Sequence, residues 1–556
     1  MIRLLPRRPS LLLWRMLFAE LLRTLAVTAV ALTASIAFAG AVKPLADGQV
    51  SLLDALRLTG LLAVPMLQYA LPFAAGFAAT LTYHRFGAEN EAAAAYASGI
   101  GHRTVMIPAV LVGVLLCGSL LVLADQVMPR FLRSAESLVQ RDITRLLVGP
   151  IQRGRSISLD DFEIHADEAI GPLRPGAGSA AFQHVVLRGV LAVRPSETGS
   201  AEWYSAQRVD VWLVDNPNEP GGVGVKLVFQ GASTSSPEAM AEGERFETRI
   251  IPIPSTVDDN VKYLSFAEMR EVRDRPRKMN QLDRRARMLI AALREHRKIE
   301  RVHDEIEQRG RVIFEQGDQR IVLTASSMTT DGEDRWRIAH ATPGTRIALT
   351  VRMADGRERL QTARSAVLRF REDALGDVAL SGSLSLTLQG VSTIGPDGES
   401  TVERAEQVYA NLSVPGVEFD DLNEASVAEL LREADEAILR DGHGAAQIRT
   451  LRRNLEERHD RLQRELIGKS HGRIAYGAVT LVMILAGAVI ALRLRDSLPL
   501  PVYMLSFFPA LAAVLAISVG ERMAERAMVP GMLLVWGSVL LLGLYTMLAY
   551  AHLRRH

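Results

Sequence analysis

The sequence predicts an α-helical membrane protein in which a large β-rich, jellyroll-like domain is inserted between two sets of three transmembrane helices. Six long stretches without a charged residue lie near the two ends of the 556-residue chain, although 23% of all residues are charged. Most of the charge lies between these two sets, where short segments alternate apolar and polar residues. This uneven distribution excludes a soluble enzyme.

The charge balance excludes two further classes of protein. Lys and Arg number 64, Asp and Glu number 63, and the formal net charge is +1. Intrinsic disorder requires low hydrophobicity and a large net charge, whereas 48% of this chain is hydrophobic. Electrostatic binding to nucleic acid requires a concentrated basic field, so no nucleic-acid partner is expected. The only cysteine, Cys117, lies in an apolar stretch, which excludes an intramolecular disulfide.

Each of the six charge-free stretches is long enough to cross a membrane, because a helix needs about 20 mainly apolar residues to span the hydrocarbon core. A further charge-free run, 378–396, alternates leucine with polar residues and ends in a Gly/Pro turn, which indicates a half-buried strand. Six spans are therefore predicted. They are Thr24–Val42, Leu58–Tyr83, Thr104–Ala124, Ile474–Leu492, Ser497–Gly520 and Ala527–Ala551.

Three regions follow from this pattern: an N-terminal transmembrane half (1–126), a β-rich region (127–470) and a C-terminal transmembrane half (471–556). An even number of spans places both termini on one side of the membrane. Basic residues of the termini and short loops are concentrated on that side, so the positive-inside rule assigns the termini to the cytoplasm and the β-rich region to the outside. These residues are Arg3, Arg7, Arg8, Arg15, Arg85, Arg103, Arg493, Arg495, Arg554 and Arg555, against Lys43, Arg57, Arg522 and Arg526.

A cleavable signal sequence is the alternative interpretation of the N-terminus. Arg7-Arg8 precedes an apolar stretch that ends in Ala37-Phe38-Ala39, which has the A-x-A form of a cleavage site. The stretch of 19 residues is longer than a typical signal core, and cleavage would leave five spans. An uncleaved first span is therefore favoured.

The central region contains two β-rich parts separated by a charged helical insertion, 264–310. Strand candidates in the first part are 184–193, 208–214 and 223–230, and the second part extends from 311 to about 414. The insertion has an apolar face and is otherwise dense in Arg, Glu and Asp, which favours a solvated helical hairpin over a partner-binding arm. A last helical stretch, 425–467, leads into the fourth span and would couple the outer region to the membrane helices.

No motif for nucleotide binding, metal binding or catalysis is complete and in a suitable structural context. Gly468-Lys469-Ser470 matches the end of a Walker A sequence, but Gln463 stands where the first glycine is required. No H-E-x-x-H sequence and no Cys/His cluster occurs, so no metal site is expected. Gly468–Gly472 has the G-x-S-x-G spacing of a hydrolase nucleophile elbow, which would make Ser470 and His471 catalytic. A charged helix precedes it and a membrane span follows, so coincidence is favoured and no catalytic residue is assigned.

The connection between the second and third spans predicts a short coupling helix within 85–101. Arg85, Glu89 and Glu91 stand at its start, alanines follow, and Gly99 stands near its end. Carboxylates stabilise the positive N-terminal end of a helix, and glycine favours the C-terminal end. A short helix across the cytoplasmic face is what docking to a separate ATPase requires.

Three segments together resemble the LptF/LptG family of lipopolysaccharide-export permeases. They are VPMLQYALPFAAGFAATLTYHRF in the second span; RFGAENEAAAAYASGIGHRTVMIPAVL with DQVMPRF after it; and the C-terminal HGRIAYG, SFFPALAAVL and MVPGMLLVWGSVLLLG. The resemblance covers about 1–150 and 445–556 and is only architectural between them. The family also has three spans, an external β-jellyroll and three further spans.

The resemblance implies a permease subunit of an ABC-type exporter in the bacterial inner membrane, with cytoplasmic termini and a periplasmic domain. Two such permeases pair, and a cytoplasmic ABC ATPase subunit binds the ATP, so the chain itself needs no cofactor. Lipopolysaccharide, or a similar amphiphile, enters laterally between spans and is passed to a periplasmic bridge protein. The short cytoplasmic helix docks in a groove of the ATPase.

Residue by residue, the resemblance implies an ATPase-coupling site. Glu91 matches the family's acidic docking residue and Gly99 the glycine that follows it, while Glu89 and Arg85 are assigned to the same site. Lys43, at the outer end of the first span, is the candidate for binding the phosphorylated sugar head, although an interfacial anchor is the favoured interpretation.

Several alternatives stay open at this point. Arg57 and Arg473 are weaker candidates for binding phosphate. The central region is larger than one jellyroll, which leaves open the identity of the amphiphile and the binding of the usual bridge partners. Whether the chain is the F-type or G-type subunit or forms a homodimer also stays open. The rival functions are a non-transporting scaffold or receptor with a periplasmic protein-binding domain, and a membrane hydrolase that uses Ser470 and His471.

Overall fold

The chain forms two compact units in a computed structural model. The membrane unit comprises 1–138, 256–274 and 460–556, and the inserted unit comprises 139–255 and 275–459. The structure describes 11–46, 52–133, 148, 151, 154, 156–159, 162–173, 181–194, 202–215, 223–236, 239–247, 251–252, 259–330, 335–340, 345–353, 357–371, 383–394, 401–416, 420–440 and 444–555.

Long apolar helices make up most of the membrane unit. Six helices among the described residues are long and apolar enough to cross a membrane, which confirms the six predicted spans. The helices of the N-terminal half are α1 (Leu11–Ala46), α2 (Leu52–Ala88), α3 (Glu91–Ala97) and α4 (His102–Val122), which continues into a π-helical turn, Leu123–Val127. The remaining helices are α5 (Phe266–Asp274), α9 (Ala445–Arg493), α10 (Pro499–Ala524) and α11 (Met528–Leu553).

Small residues bring the membrane helices close together. A Cβ atom added at Gly487 of α9 would lie 2.7 Å from the carbonyl oxygen of Gly76 in α2. One added at Gly113 of α4 would lie 2.4 Å from a methyl carbon of Leu481, and one at Gly531 of α11 would lie 2.4 Å from the backbone nitrogen of Ala524. Apolar side chains gain little by leaving lipid, so close backbone packing of this kind holds membrane helices together.

The helical stretch predicted before the fourth span is divided into separate helices. α7 (Asp420–Glu424) and α8 (Val427–Leu439) precede α9, and α9 then continues without interruption through the fourth span. α8 begins with a capping box, because the hydroxyl of Ser426 accepts the N–H of Glu429 and the Glu429 carboxylate accepts the N–H of Ser426.

The first β-rich part is a seven-stranded antiparallel sheet, here called the meander sheet. Its strands follow the chain order β1 to β6, and β7 pairs with β5. One face packs on an apolar core that includes Val185, Leu187, Val209 and Leu213. The strands are β1 (Ile157–Leu159), β2 (Phe162–Leu173), β3 (Ala181–Arg194), β4 (Glu202–Asp215), β5 (Val223–Ser236), β6 (Ala239–Glu247) and β7 (Ile251–Pro252).

Two glycines on β3 and β5 interrupt the alternation of buried and exposed residues in this sheet. Gly189 of β3 and Gly231 of β5 have φ values of +57° and +58°, which L side chains rarely adopt. On either side of Gly189, Leu187 and Val190 both belong to the core, although they are three positions apart. Simple period-two alternation therefore fails at these positions.

The second β-rich part is a nine-stranded antiparallel sheet, here called the filled sheet. Its order is β10-β11-β14-β15-β13-β12-β9-β8, with β16 paired to β15. Its strands are β8 (Arg311–Gln316), β9 (Gln319–Thr324), β10 (Ser327–Thr330), β11 (Arg335–Ala339), β12 (Ile347–Arg352), β13 (Glu358–Ala363), β14 (Ser365–Arg371), β15 (Ser383–Ile394) and β16 (Thr401–Leu412).

A single helix, α6 (Asn280–Arg309), supplies part of the core of the filled sheet. Ile299, Val302 and Ile306 of α6 pack in one cluster with strand residues that include Phe314. The predicted solvated helical hairpin is therefore wrong: α5 belongs to the membrane unit, while α6 is buried along one face within the inserted unit. The charge on the other face of α6 indicated solvent, but Arg297 and Glu300 on that face form ion pairs with neighbouring residues.

Ion pairs between helices account for much of the charge in the helical part of the inserted unit. Arg297 of α6 lies 2.7 Å from a carboxylate oxygen of Glu433 in α8, and Arg440 lies 3.0 Å from Glu300 of α6. Arg452 of α9 lies 2.6 Å from Asp435 of α8. These pairs join α6 to α8 and to the residue after it, and α8 to α9.

Candidate functional site

The predicted coupling segment, 85–101, is divided between two helices. Arg85 lies in the last turn of α2, and α3 begins at Glu91 after a tight turn. Asn90 adopts a left-handed conformation with φ of +61°, which lets the chain reverse between the two helices. Gly99 follows α3 with φ of +83°, the conformation that glycine favours after a helix.

The two acidic residues of this turn have different surroundings. The Arg85 guanidinium donates to Glu89 Oε1 at 2.8 Å and also lies 3.4 Å from Glu20 Oε1 of α1. Glu91 is exposed, and none of the described residues forms an ion pair with it. Glu89 is therefore engaged within the chain, whereas the Glu91 carboxylate is available to a partner.

Helix α3 rests on the membrane unit through one face. Ala92 and Ala95 are buried, and the ring of Tyr96 packs on His102 with 4.3 Å between ring centroids. Burial raises the pKa of Tyr96 to about 12, so the phenol stays neutral. The opposite face exposes Glu91 and Ala94, a carboxylate beside a small side chain.

Hydrogen bonds connect this turn region to several membrane helices. The Tyr83 hydroxyl donates to the carbonyl of Val105 at 3.0 Å, and the Trp14 indole donates to Thr104 at 3.0 Å. A Cβ atom added at Gly87 would lie 2.9 Å from Cβ of Arg495, in the loop between α9 and α10. These contacts join α1, α2, α4 and this loop next to α3.

Of the predicted phosphate-binding residues, the structure describes the side chain of Arg473 only. Lys43 lies in the last turn of α1, and Arg57 lies in α2; both side chains are outside the described part of the structure. Arg473 lies in α9 and is 7% exposed.

A charged cluster that was not predicted from the sequence lies around Arg473. Lys469 Nζ lies 2.9 Å from Glu521 Oε2 of α10, and both side chains are mostly buried. One nitrogen of Arg473 donates to the carbonyl of Lys262 at 2.9 Å. The sequence signal was a basic pair one helical turn apart before the fourth apolar stretch, with Glu521 directly after the fifth.

The G-x-S-x-G segment lies inside α9, whereas a nucleophile elbow requires a sharp turn between a strand and a helix. The Ser470 hydroxyl donates to the carbonyl of Leu466 at 2.8 Å, one turn earlier in the helix. His471 Nδ1 accepts the indole N–H of Trp536 at 3.3 Å. The two glycines serve helix packing instead, since Gly468 and Gly472 both face α10.

Helix α5 is fastened to the same end of the membrane unit. The Asp125 carboxylate accepts the N–H of Phe266, and Glu268 pairs with Arg133. Burial raises the pKa of Glu268, but hydrogen bonds from Ser265 and the charge of Arg133 outweigh it and leave that pKa below its usual range. The carboxylate is therefore ionised at neutral pH and holds α5 in place.

Comparison with known proteins gives one family. Residues 12–211 match the model of the family described as lipopolysaccharide export system permease LptF/LptG. The matched range contains α1 to α4 and β1 to β3 and ends within β4 of the meander sheet. No curated protein shows significant similarity to the chain. The match supports assignment to the lipopolysaccharide export permease family.

Proposed function

We propose that this chain, assigned to the lipopolysaccharide export permeases by residues 12–211, is a membrane subunit of an exporter powered by a separate ATPase. The observation that carries the proposal is this match, which extends from the first membrane helix into the meander sheet. Such a permease binds and moves an amphiphile without covalent chemistry of its own. It resides in the bacterial inner membrane, with the termini and α3 in the cytoplasm and the inserted unit in the periplasm.

The ATPase would dock on α3. Its exposed Glu91 and Ala94 offer a carboxylate beside a small side chain, which suits an arginine in a protein groove. The buried face of α3 and the hydrogen bonds of Tyr83 and Trp14 supply the mechanical connection to the spans. Of the four predicted coupling residues, Glu91 makes the contact, Arg85 and Glu89 stabilise the turn, and Gly99 ends the helix.

The meander sheet is the better candidate for the path of the lipid. Apolar side chains on its core face are only partly buried, among them Phe182, Leu227 and Phe229. The filled sheet, in contrast, has Ile299, Val302 and Ile306 of α6 in its core. Acyl chains therefore find an incomplete apolar surface on the first sheet and an occupied one on the second. From the meander sheet of this chain, paired with a second permease, the lipid would pass to a periplasmic bridge protein.

The test is co-purification of the tagged chain from native membranes in mild detergent, with identification and ATPase assay of the bound proteins. Glu91→Arg should abolish recovery of the ATPase, because the contact becomes repulsive and removal of one partner of a buried ion pair costs about 3–5 kcal/mol. Glu89→Gln is the matched control, since Glu89 contacts Arg85 within the chain. It should retain the ATPase.

Two other outcomes have defined meanings. An ATPase retained by both variants keeps the transporter and removes the docking role of Glu91. No ATPase with the unsubstituted chain, from membranes in which one is expressed, overturns the proposal and favours the non-transporting scaffold.

A further inference from the structure

Helix α3 is too small to hold a partner protein by itself. It has seven residues, and two of them, Ala92 and Ala95, are buried against the membrane unit. A specific interface between two proteins buries about 800 Å² on each side and involves about 20–30 residues of each partner. A protein that docks on α3 must therefore also contact the elements around this helix.

Three further elements of the membrane unit lie beside α3. The loop between α9 and α10 reaches the turn before α3, since a Cβ atom at Gly87 would lie 2.9 Å from Cβ of Arg495. His102, at the start of α4, packs on the ring of Tyr96. Arg554, directly after α11, is close enough to His102 to interact with it electrostatically, and Arg495 interacts with Tyr96 in the same way.

The exposed charges of these three elements are mainly positive. Arg495 lies 3.7 Å from a carboxylate oxygen of its neighbour Asp496, and the other four arginines form no ion pair with any described residue. Glu91 is thus an exposed carboxylate within a positive field. The five exposed arginines, here called the arginine rim, are Arg103, Arg493, Arg495, Arg554 and Arg555.

Basic residues near a membrane also attract anionic lipid headgroups. That attraction requires only a charge near the membrane surface and no place beside a docking helix. Arg23 of α1 is a residue of this kind: it is exposed, has no ion pair with a described residue, and lies one turn beyond Glu20, which contacts Arg85. Arg23 therefore provides a reference for the contribution of lipid.

We propose that the arginine rim is the outer part of the docking surface and that it binds carboxylates of the partner ATPase. A partner groove that offers an arginine to Glu91 would be repelled by the rim unless acidic side chains surround that arginine. The partner surface should therefore have a basic centre and an acidic border, the complement of Glu91 within the rim. This inference rests on the proposed function.

The centre and the rim of such an interface respond differently to salt. Exposed rim charges mainly raise the association rate, and salt screens them, because the Debye length falls from about 10 Å at 0.1 M to about 3 Å at 1 M. A desolvated central pair is screened much less and mainly slows dissociation. Salt therefore separates the contribution of the rim from that of Glu91.

The test measures association of the ATPase that co-purifies with the chain. The full-length chain is placed in nanodiscs that contain the anionic lipid phosphatidylglycerol, at about 0.05 M and about 0.5 M NaCl. Arg495→Glu combined with Arg554→Glu should slow association about tenfold at the lower salt concentration, with little difference at the higher one. Arg495→Lys combined with Arg554→Lys keeps both charges and should restore fast association. Arg23→Glu is the matched control and should not slow association.

An unchanged rate in the double Glu variant would overturn the proposal. Equal slowing by Arg23→Glu would also overturn it and assign these arginines to lipid headgroups. If the double Glu variant does not fold, Arg554→Glu alone decides, because Arg554 lies at a helix end and should by itself slow association about threefold.

Glu91→Arg distinguishes this proposal from the proposed function. It should abolish binding at both salt concentrations, because the central contact becomes repulsive. Loss of binding in Glu91→Arg beside a full rate in the double Glu variant keeps docking on α3 and removes only the rim. If the unsubstituted chain binds no ATPase, both conclusions fail.

Discussion

Arg133 and Glu268 form an ion pair that fastens α5 to the end of the third span. Neither residue belongs to a recognisable motif, and they are far apart in the sequence, so no pattern could have predicted the contact. The same holds for Lys469 and Glu521. In contrast, Glu91 could be predicted as a candidate because it stands in a short local pattern, an acidic residue at the start of an alanine-rich helix, that resembles the family's docking segment.

The Glu268 ion pair predicts a pH-dependent contribution to stability. Its pKa lies below the usual value, so the stabilisation is fully present above the unfolded pKa of about 4.3 and is lost as the pH falls through the folded pKa. Glu268→Gln should therefore lower the melting temperature of the detergent-solubilised chain at pH 7. The difference should vanish towards low pH. Asp274→Asn, at the other end of α5, is the control, and a pH-independent difference for Glu268→Gln would contradict the assignment.

At the scale of elements, three strands of the meander sheet, β3, β4 and β5, contain the ranges that alternation predicted, 184–193, 208–214 and 223–230, and each is longer than its predicted range. Alternation could not predict the shift at Gly189 and Gly231, because it depends on backbone conformations that only the assembled sheet reveals. The solvated hairpin was wrong for a related reason. Charge on α6 indicated solvent, but Arg297 and Glu300 face opposite charges on neighbouring helices.

Gly189→Ala tests the shift in alternation. The new Cβ atom would lie 2.0 Å from Asp167 Oδ2, and φ of +57° would be strained, so we expect a loss of about 1–3 kcal/mol in stability of the inserted unit. Gly154→Ala is the matched control, because Gly154 also has positive φ, +69°, but no atom of the described residues lies within 4 Å of the added carbon. Chemical unfolding followed by circular dichroism should rank Gly189→Ala as the more destabilising. Equal losses would show that φ alone matters.

At the scale of the molecule, charge segregation was sufficient to predict six spans and a β-rich insertion. Alternation predicted two β-rich parts in the insertion but not that their cores are filled differently, because both parts have the same alternating pattern. The difference lies in what fills each core, α6 in one sheet and partly buried side chains in the other. The family match ends at residue 211, before the filled sheet begins, so that sheet has no counterpart in the matched range.

Phe314→Ala tests whether the filled sheet acts independently of docking. Phe314 is fully buried in the core of that sheet, and removal of its ring should destabilise the inserted unit by about 3–5 kcal/mol. Below the resulting melting transition, the variant should still co-purify with the ATPase, because α3 contains none of this core. Loss of the ATPase at a temperature where the inserted unit remains folded would contradict this independence.

The helix within the filled sheet has an evolutionary consequence. A sheet whose core includes Ile299, Val302 and Ile306 of its own helix depends on those buried residues and makes few demands on its outer surface. Substitutions on that surface usually change stability by less than about 0.5 kcal/mol. The exposed face of the filled sheet can therefore change in sequence with little loss of stability, whereas Ile299, Val302 and Ile306 cannot.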